Sequence, residues 1–357
     1  MLELVAGLLI IAAALAAAHL SATMDLVRFP LAWAGVLVAL DGLARLRHGR
    51  SPLASARDWL ACAALSIAFW DVFELLNLRL HNWWYTGLSQ SSLVGSLFAA
   101  VSFATVLPAI RLGLAAVTPR NDPPLRGAQA PSALPLVLAG AAALALPLAW
   151  PSFCFGLAWL FLWPLCEALL TRLPPAALPS PLEAFRARDR RLPLRLLALA
   201  LPLGLLWESL NFGCERGWFY TVPHFEQLKL FEMPLPGYLG YLPFLLEAGA
   251  ALALLERLER LERPRLRTWH LGALLALFHF AADGVARPRT GISTAPIESE
   301  LARTGFMGEE WAARLRSAGI ADTRALAAAD WRDLHRKLAG APDPAIVRAW
   351  IDKAQSR

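Results

Sequence analysis

Long apolar runs with few charges recur along this chain of 357 residues, and they constrain its fold more than any other feature. A hydrocarbon core about 30 Å thick requires roughly 20 apolar residues of helix to cross it. Nine runs of roughly that length are present. They cover approximately residues 2–20, 29–46, 59–79, 90–111, 133–150, 152–171, 194–212, 237–255 and 268–286. The sequence therefore predicts an all-α polytopic membrane bundle, because a helix satisfies its own backbone polar groups in lipid.

The composition favours the same class of protein. Hydrophobic residues make up 57% of the chain and charged residues 17%, against about 25% charged in soluble domains. The first run contains Glu3 and lacks a basic leader, so we expect a retained span and not a cleaved signal peptide. The four cysteines have no Cys-x-x-Cys spacing, and we expect no bound metal and no cofactor.

Basic residues are divided unequally between alternate loops. The loops after the second, fourth, sixth and eighth runs contain eighteen arginines, whereas the remaining loops before the ninth run contain four basic residues. Loops rich in Lys and Arg face the cytoplasm in multi-pass proteins. We therefore expect a cell inner (plasma) membrane protein with segments 45–57, 172–195 and 256–267 in the cytoplasm.

A motif occurs twice, each time at the end of an apolar run. The first copy reads FELLN and continues after five residues with WWYT; the second reads WESLN and continues after six residues with WFYT. Because the copies end the third and seventh runs, residues 1–130 and 131–256 are predicted to be two parallel four-span repeats. Residues 257–290 would then contain an unpaired ninth span, and residues 291–357 a soluble helical tail.

Each copy places a glutamate and an asparagine three residues apart, on one face of a helix: Glu74 with Asn77, and Glu208 with Asn211. An ionisable side chain inside a span is costly and indicates a functional site by default. We expect Glu74 and Glu208 to be acid/base catalysts. The alternative is structural, because Glu and Asn can also hydrogen-bond across helices and join the two halves.

Three further polar residues lie within apolar runs. Glu247, midway along the eighth run, is a third candidate for catalysis, or else it bonds a backbone group freed by a kink at Pro243. His279 and Asp283 are four residues apart on the ninth run and are expected to join the two glutamates in one cluster near the outer leaflet. Such a cluster resembles some metal sites, but no His-x-x-x-His pair supports one, and a His–Asp hydrogen bond is the simpler interpretation.

The aromatic strings after each Glu-Asn pair are expected to flank a substrate. Aromatic ring faces beside carboxylates can stabilise a carbocation. The predicted substrate-binding residues are Asn77, Asn211, Trp83, Tyr85, Trp218, Tyr220, His279 and Asp283.

The stretch GWFYTVPHFEQLKLFEMPLPGYLGYLPFLLEA resembles membrane carotenoid-modifying proteins, namely the small-domain lycopene cyclases and the related carotenoid hydratases. A Glu-bearing span, a Trp-x-Tyr segment, a short outer loop and a proline-led span carry the resemblance. It implies acid/base chemistry on an isoprenoid or other long apolar lipid that enters from the bilayer. Where the cyclases have a Pro-x-Glu-Glu motif, this chain has Pro234-Leu235-Pro236-Gly237.

The string LRSAGIADTRALAAADWRDLHRKLAGAPDPAIVRAWIDKA resembles the C-terminal half of helix-hairpin-helix-like domains. Such domains bind nucleic acid through a glycine-rich hairpin, which here reads TGFMGEEW, so we expect packing or a protein partner and no nucleic acid. The tail helices are predicted near residues 309–318, 323–328, 331–338 and 344–354.

Two other functions stay open beside a lipid enzyme. One is a transporter whose two halves alternate access around the polar cluster. The other is a non-catalytic membrane scaffold whose tail recruits a protein.

The charge asymmetry predicts the topology. In a background without native cysteines, Arg188→Cys should resist a membrane-impermeant maleimide in intact cells, because its loop faces the cytoplasm. Gln227→Cys, in the outer loop after the seventh run, is the matched control and should react. Labelling of position 188 in intact cells would overturn the orientation.

Overall fold

In a computed structural model the chain forms a mostly helical bundle with a small sheet at one end. The structure describes residues 1–20, 22–88, 91–214, 216–225, 228–260, 265–293, 301, 307, 309–340 and 342–355. Within these residues, six helical segments are long and apolar enough to cross a membrane, which indicates a multi-pass membrane protein. They are Arg28–His48, Ala56–Leu80, Ser92–Val117, Pro151–Leu170, Arg191–Asn211 and Leu235–Arg260.

The elements follow one another along the chain as expected for a bundle. The helices are α1 (Leu2–Ala18), α2 (Ala22–Asp25), α3 (Arg28–His48), α4 (Ala56–Leu80), α5 (Ser92–Phe103), α6 (Val106–Val117), α7 (Leu134–Ala149), α8 (Pro151–Cys154), α9 (Leu162–Leu170), α10 (Pro181–Arg186), α11 (Arg191–Asn211), α12 (Tyr241–Arg260), α13 (Arg265–Thr290), α14 (Glu309–Ser317), α15 (Thr323–Ala327), α16 (Trp331–Lys337) and α17 (Pro344–Gln355). The strands are β1 (Trp83–Leu88), β2 (Trp218–Tyr220), β3 (Lys229–Leu230), β4 (Met233–Pro234) and β5 (Gly291–Ser293). Two 3₁₀ helices cover Phe155–Trp159 and Leu235–Gly240.

The six segments coincide with six of the nine predicted runs. The first and fifth runs form α1 and α7, apolar helices of 17 and 16 residues that are shorter than the others. The ninth run lies within α13, which has 26 residues. The number of spans and the two four-span repeats stay predictions.

Two of the six segments are interrupted by non-helical residues. At each interruption a buried side chain from another helix hydrogen-bonds the backbone. Ser66 of α4 donates from Oγ to the carbonyl of Phe103 and accepts from the backbone N–H of Leu107, at 2.5 and 3.0 Å, across the break between α5 and α6. Glu247 of α12 bonds the start of α9 in the other broken segment. Non-helical backbone at membrane depth is tolerated when its polar groups are bonded in this way.

Between residues 272 and 286, helix α13 places polar side chains toward the bundle and apolar side chains outward. His279 and Asp283 are buried against α4 and α5, whereas Leu274 and Leu277 expose 63% and 67% of their surface. Outward apolar side chains suit contact with acyl chains, and α13 runs to the end of the bundle where β5 joins the sheet. This division favours the prediction of an additional span.

The aromatic strings of the two motif copies form strands that pair with each other. Strands β1 and β2 are antiparallel, with Trp83 opposite Tyr220 and Trp84 opposite Phe219, and β5 pairs with the other edge of β1 in parallel. The strings were predicted as interfacial aromatics, and the sheet is a feature that the sequence did not reveal. Because side chains alternate along a strand, each string has one face toward the bundle and one away from it.

The tail packs on the outward face of this sheet. Trp84 and Phe219 lie in one hydrophobic cluster with the described tail helices, and the Trp84 and Trp350 rings are 6.3 Å apart. The four predicted tail helices are confirmed by α14–α17, which match them within about two residues. The tail therefore lies at the same end of the bundle as both motif copies.

A buried ion pair joins α10 and α12 at the opposite end. Arg257 is 1% exposed, donates to Glu183 at 2.5 Å and also donates to the carbonyl of Leu170 at 2.9 Å. Removing one partner of a buried pair leaves the other charge unpaired.

Arg257→Ala should therefore lower the free energy of unfolding by about 3–5 kcal/mol. Arg260→Ala is the matched control, because Arg260 pairs with Glu256 at the surface, where such pairs contribute about 0–1 kcal/mol. Denaturant unfolding in detergent micelles measures both. Equal effects of the two substitutions would contradict the assignment.

A candidate acid–base site in an aromatic cavity

The asparagine of each motif copy turns the chain from the helix into its strand. Asn77 donates to the carbonyl of Trp83 at 2.8 Å, and its Oδ1 accepts from the backbone N–H of Asn82 at 2.8 Å. Asn211 repeats this arrangement: it donates to the carbonyl of Trp218 at 2.6 Å and accepts from the N–H of the same residue at 2.9 Å. Both amides are buried. They bond the strands, and their expected role in binding a substrate stays a prediction.

Glu74 accepts hydrogen bonds from side chains of strand β1 and of its own helix. Its Oε1 accepts hydrogen bonds from the Tyr85 hydroxyl at 2.5 Å, from Nε1 of Trp70 at 2.9 Å and from Nε1 of Trp83 at 3.1 Å. Trp70 lies one turn earlier on α4, and the other two donors come from β1. Burial, with the nearby carboxylate, raises the pKa of Tyr85 well above its ordinary value, so the phenol stays a donor. One oxygen of Glu74 is thus held by three donors.

Glu208 occupies the equivalent place in the second copy. Its Oε1 accepts from the Tyr241 hydroxyl at 2.7 Å and from the Tyr220 hydroxyl at 2.8 Å. Nε1 of Trp218 donates in turn to the Tyr220 hydroxyl at 2.9 Å. The second oxygen of Glu208 is buried and has no hydrogen-bond partner among the described residues.

The threonines of the two copies form backbone hydrogen bonds between the two strand segments. The backbone N–H of Thr86 donates to Gly217 at 2.9 Å, and that of Thr221 donates to Asn82 at 2.9 Å. Each threonine thus bonds the residue that precedes the strand of the other copy. The Glu, Asn, Tyr and Thr residues of the motif thus make matching hydrogen bonds in both copies.

Two adjoining cavities open beside these carboxylates. The space that the centre of a water molecule can reach is about 120 Å³ in the first cavity and about 150 Å³ in the second. Five aromatic side chains line both: Trp70, Trp83, Trp159, Trp207 and Tyr220. Glu74, Tyr85, Trp218 and Asp283 line the first cavity, whereas Tyr241 lines the second. Glu208 lines neither, and its two tyrosines lie between it and the cavities.

The predicted pair on α13 belongs to a hydrogen-bonded network beside the first cavity. Nδ1 of His279 lies 3.0 Å from both carboxylate oxygens of Asp71, and Nε2 lies 2.9 Å from the carbonyl of Ser96. The Ser96 hydroxyl donates to Asp283, which also accepts from Nε of Arg287 at 3.0 Å. Among the described residues no group of three or more His, Cys, Asp or Glu side chains is placed to hold a metal ion.

Glu247 lies apart from the other candidates. Its Oε1 accepts from the backbone N–H of Leu162 at 2.7 Å and of Trp163 at 3.4 Å, at the start of α9. It lines neither cavity. These contacts are those of a buried helix cap, and its catalytic role stays a prediction without a neighbouring ligand site.

Several contributors to the site were missed by the sequence analysis, and four of them show why. Trp70 precedes Glu74 by four residues, a spacing that places both on one helix face. Asp71 is an ionisable residue within an apolar run, which is itself a functional signal. Arg216 and Arg287 line the first cavity, but they are far apart in the chain, so no local pattern joins them.

Asn77→Ala should destabilise the bundle, because it leaves buried backbone groups of Asn82 and Trp83 unpaired at about 1–3 kcal/mol each. Ser209→Ala is a suitable control, because Ser209 is exposed and its hydroxyl donates to the carbonyl of Leu206 within the same helix. Unfolding in detergent by denaturant measures both variants. A loss for Asn77→Ala as small as for Ser209→Ala would show that the strand does not need this anchor.

Comparison with known proteins adds no relative. No family model matches the chain, and no curated protein or solved structure is significantly similar to it. The resemblances to carotenoid-modifying proteins and to helix-hairpin-helix-like domains therefore stay predictions, and the chemistry of the site rests on the contacts of Glu74 and Glu208.

Proposed function

We propose that this membrane protein binds a long unsaturated lipid of the isoprenoid class in the twin aromatic cavities and transfers protons to and from it. One observation carries the proposal: Glu74, held at one oxygen by three donors, lines a cavity whose other walls are largely indole and phenyl rings. Such a cavity matches an apolar substrate, and a positioned carboxylate is the usual acid or base of proton transfer.

The hydrogen bonds around Glu74 suit a group that gives up a proton. Tyr85, Trp70 and Trp83 all donate to Oε1, and no described residue bonds Oε2. In the proposed step, the proton on Oε2 moves to one carbon of a double bond, and the π electron pair forms the new C–H bond. The three donors then stabilise the negative charge left on the carboxylate.

The positive charge left on the second carbon would face the aromatic walls. Ring faces attract cations electrostatically, and the Trp70, Trp207 and Trp218 rings follow one another at centroid distances of 6.3 and 5.0 Å. Loss of a proton from a neighbouring carbon to the carboxylate of Glu74 restores the acid and completes an isomerisation or cyclisation without an oxidant. Glu208 would act through Tyr220 and Tyr241, which separate it from the ligand.

We also propose that residues 1–130 and 131–256 are parallel repeats. The support is local: the two asparagines anchor their strands alike, the two threonines cross-link them reciprocally, and the two glutamates accept hydrogen bonds from aromatic residues on those strands. A two-fold relation between the halves would bring each strand against its counterpart, as in the β1–β2 pair.

In a non-catalytic scaffold the same glutamates would only accept hydrogen bonds that hold the two halves together, a role called here a clamp. Gln keeps the acceptor oxygen that the Tyr and Trp donors require but cannot exchange a proton as a carboxylate does. The two interpretations therefore predict different effects of Glu→Gln substitutions.

Lipid profiling of a deletion strain, complemented with each variant and grown in D₂O, tests the proposal. The wild-type chain should restore a lipid that carries solvent deuterium, whereas Glu74→Gln and Glu208→Gln should restore none, a loss of about 100-fold or more for a missing acid or base. Glu3→Gln, on α1 where the side chain is 45% exposed and lines neither cavity, is the control and should complement fully.

Thermal stability of the purified variants completes this test. Both Gln variants should unfold close to the wild-type temperature, because their hydrogen bonds persist. Full complementation by Glu74→Gln and Glu208→Gln would refute the enzyme and leave the clamp.

A further inference from the structure

The first cavity differs from an ordinary apolar pocket because two guanidinium groups line it together with the rings. Arg216 precedes β2, and Arg287 lies near the end of α13. A wholly apolar ligand cannot pair with a cation, and placing two guanidinium groups beside a buried pocket costs free energy. This combination of an aromatic body and a cationic end needs an explanation that the proposed proton transfer does not provide.

Both guanidinium groups are held against helix α5. The Cζ atom of Arg216 lies 4.4 Å from the centroid of the Phe98 ring. A Cβ added at Gly95 would come within 2.4 Å of Nη1 of Arg287, so the absent side chain lets that guanidinium group lie directly against the helix. Gly95 and Phe98 are three residues apart and share one helix face. The two cations are therefore neighbours, about one helical turn apart along α5.

Among the described residues, a carboxylate pairs with only one of these two guanidinium groups. Arg287 pairs with Asp283 at 3.0 Å and donates to the carbonyl of Ser92 at 2.9 Å. Arg216 donates from Nε to the carbonyl of Gly87 at 2.7 Å and has no carboxylate partner among the described residues. The described residues at this end of the cavity thus supply two guanidinium groups against one carboxylate, Asp283, and the Nη atoms of Arg216 point to no carboxylate among them.

The position of this charge matches a lipid head group. On α13 the exposed apolar side chains run to Val285, and Arg287 and Arg289 follow. Basic side chains at the end of an apolar helix lie at the level of lipid head groups. Glu74 and the tryptophans line the same cavity, so a ligand with its head at the arginines would extend its chain past the carboxylate.

We propose that the first cavity takes an amphipathic single-chain lipid whose head is a phosphate or diphosphate, with the head between Arg216 and Arg287 and the chain among the rings. Guanidinium groups match the oxygens of phosphate in two-point hydrogen bonds. The inference deepens the proposed function, on which it rests, because it specifies the polar end of the isoprenoid. Such a head would also fix which double bond lies beside Glu74.

Binding measured by tryptophan fluorescence on the full chain in nanodiscs of a zwitterionic lipid tests this assignment. The probes are geranylgeranyl diphosphate, geranylgeraniol with the same chain but no charge, and oleyl phosphate with an acyl-type chain. Charge-assisted hydrogen bonds should make the diphosphate bind about tenfold or more tightly than the alcohol. Arg216→Gln should remove about that factor for the diphosphate and leave the alcohol unchanged.

Matched variants separate the head-group site from general charge. Arg79→Gln and Arg289→Gln change basic residues at the same end that do not line the cavity, and both should bind all three probes as the wild-type chain does. Arg287→Gln should act like Arg216→Gln, and unchanged binding of geranylgeraniol shows that each variant is folded.

The outcomes distinguish this inference from the function on which it rests. Equal binding of the diphosphate and the alcohol, or a preference that survives Arg216→Gln, overturns the head-group site and leaves the lipid cavity intact. Failure of all probes to bind overturns both. Oleyl phosphate binding as tightly as the diphosphate supports the head-group site but contradicts selection of an isoprenoid chain.

Discussion

The structure depends on placing carboxylates inside an apolar bundle, where an unbonded polar group is expensive. Each motif copy supplies hydrogen-bond donors for its own glutamate. A helix ends on an asparagine, the asparagine anchors a strand that folds back, and the strand returns a Tyr donor to the glutamate one turn earlier. In the first copy Trp83 of the same strand also donates to the glutamate. The pairing of β1 with β2 follows from this return, because both strands lie at the same end of the bundle.

The same constraint governs the interrupted helices. A break within lipid frees backbone N–H and C=O groups, and a side chain from a neighbouring helix must bond them. Ser66 does so for α5 and α6, and Glu247 does so for α9. A polar residue within a span is therefore ambiguous in sequence: Glu247 and Glu74 occur in similar apolar surroundings, but of the two only Glu74 lines one of the two aromatic cavities.

Much of the helical layout could be predicted because hydropathy and helix length are local properties. The duplicated motif also identified Glu74 and Glu208, whose buried positions and donors now define the candidate site. The sheet could not be predicted, since WWYT and WFYT are too short to show a period of two, and their partner lies more than a hundred residues away in the chain. For the same reason the joining of Asp71 with His279, and of Arg216 with Arg287, required the packed helices.

The two halves match in their anchors but differ in what their glutamates reach. Glu74 lines the first cavity, while Glu208 is separated from both cavities by Tyr220 and Tyr241. The spacer of the second copy is one residue longer than that of the first, and it carries Arg216 at the cavity wall. A duplicated unit first supplies two equal carboxylates, since each can be buried by its own strand. Under the proposed function, one copy keeps the carboxylate that faces the ligand while the other contributes the cation at its polar end, and this asymmetry of the cavity would select the orientation of an asymmetric lipid.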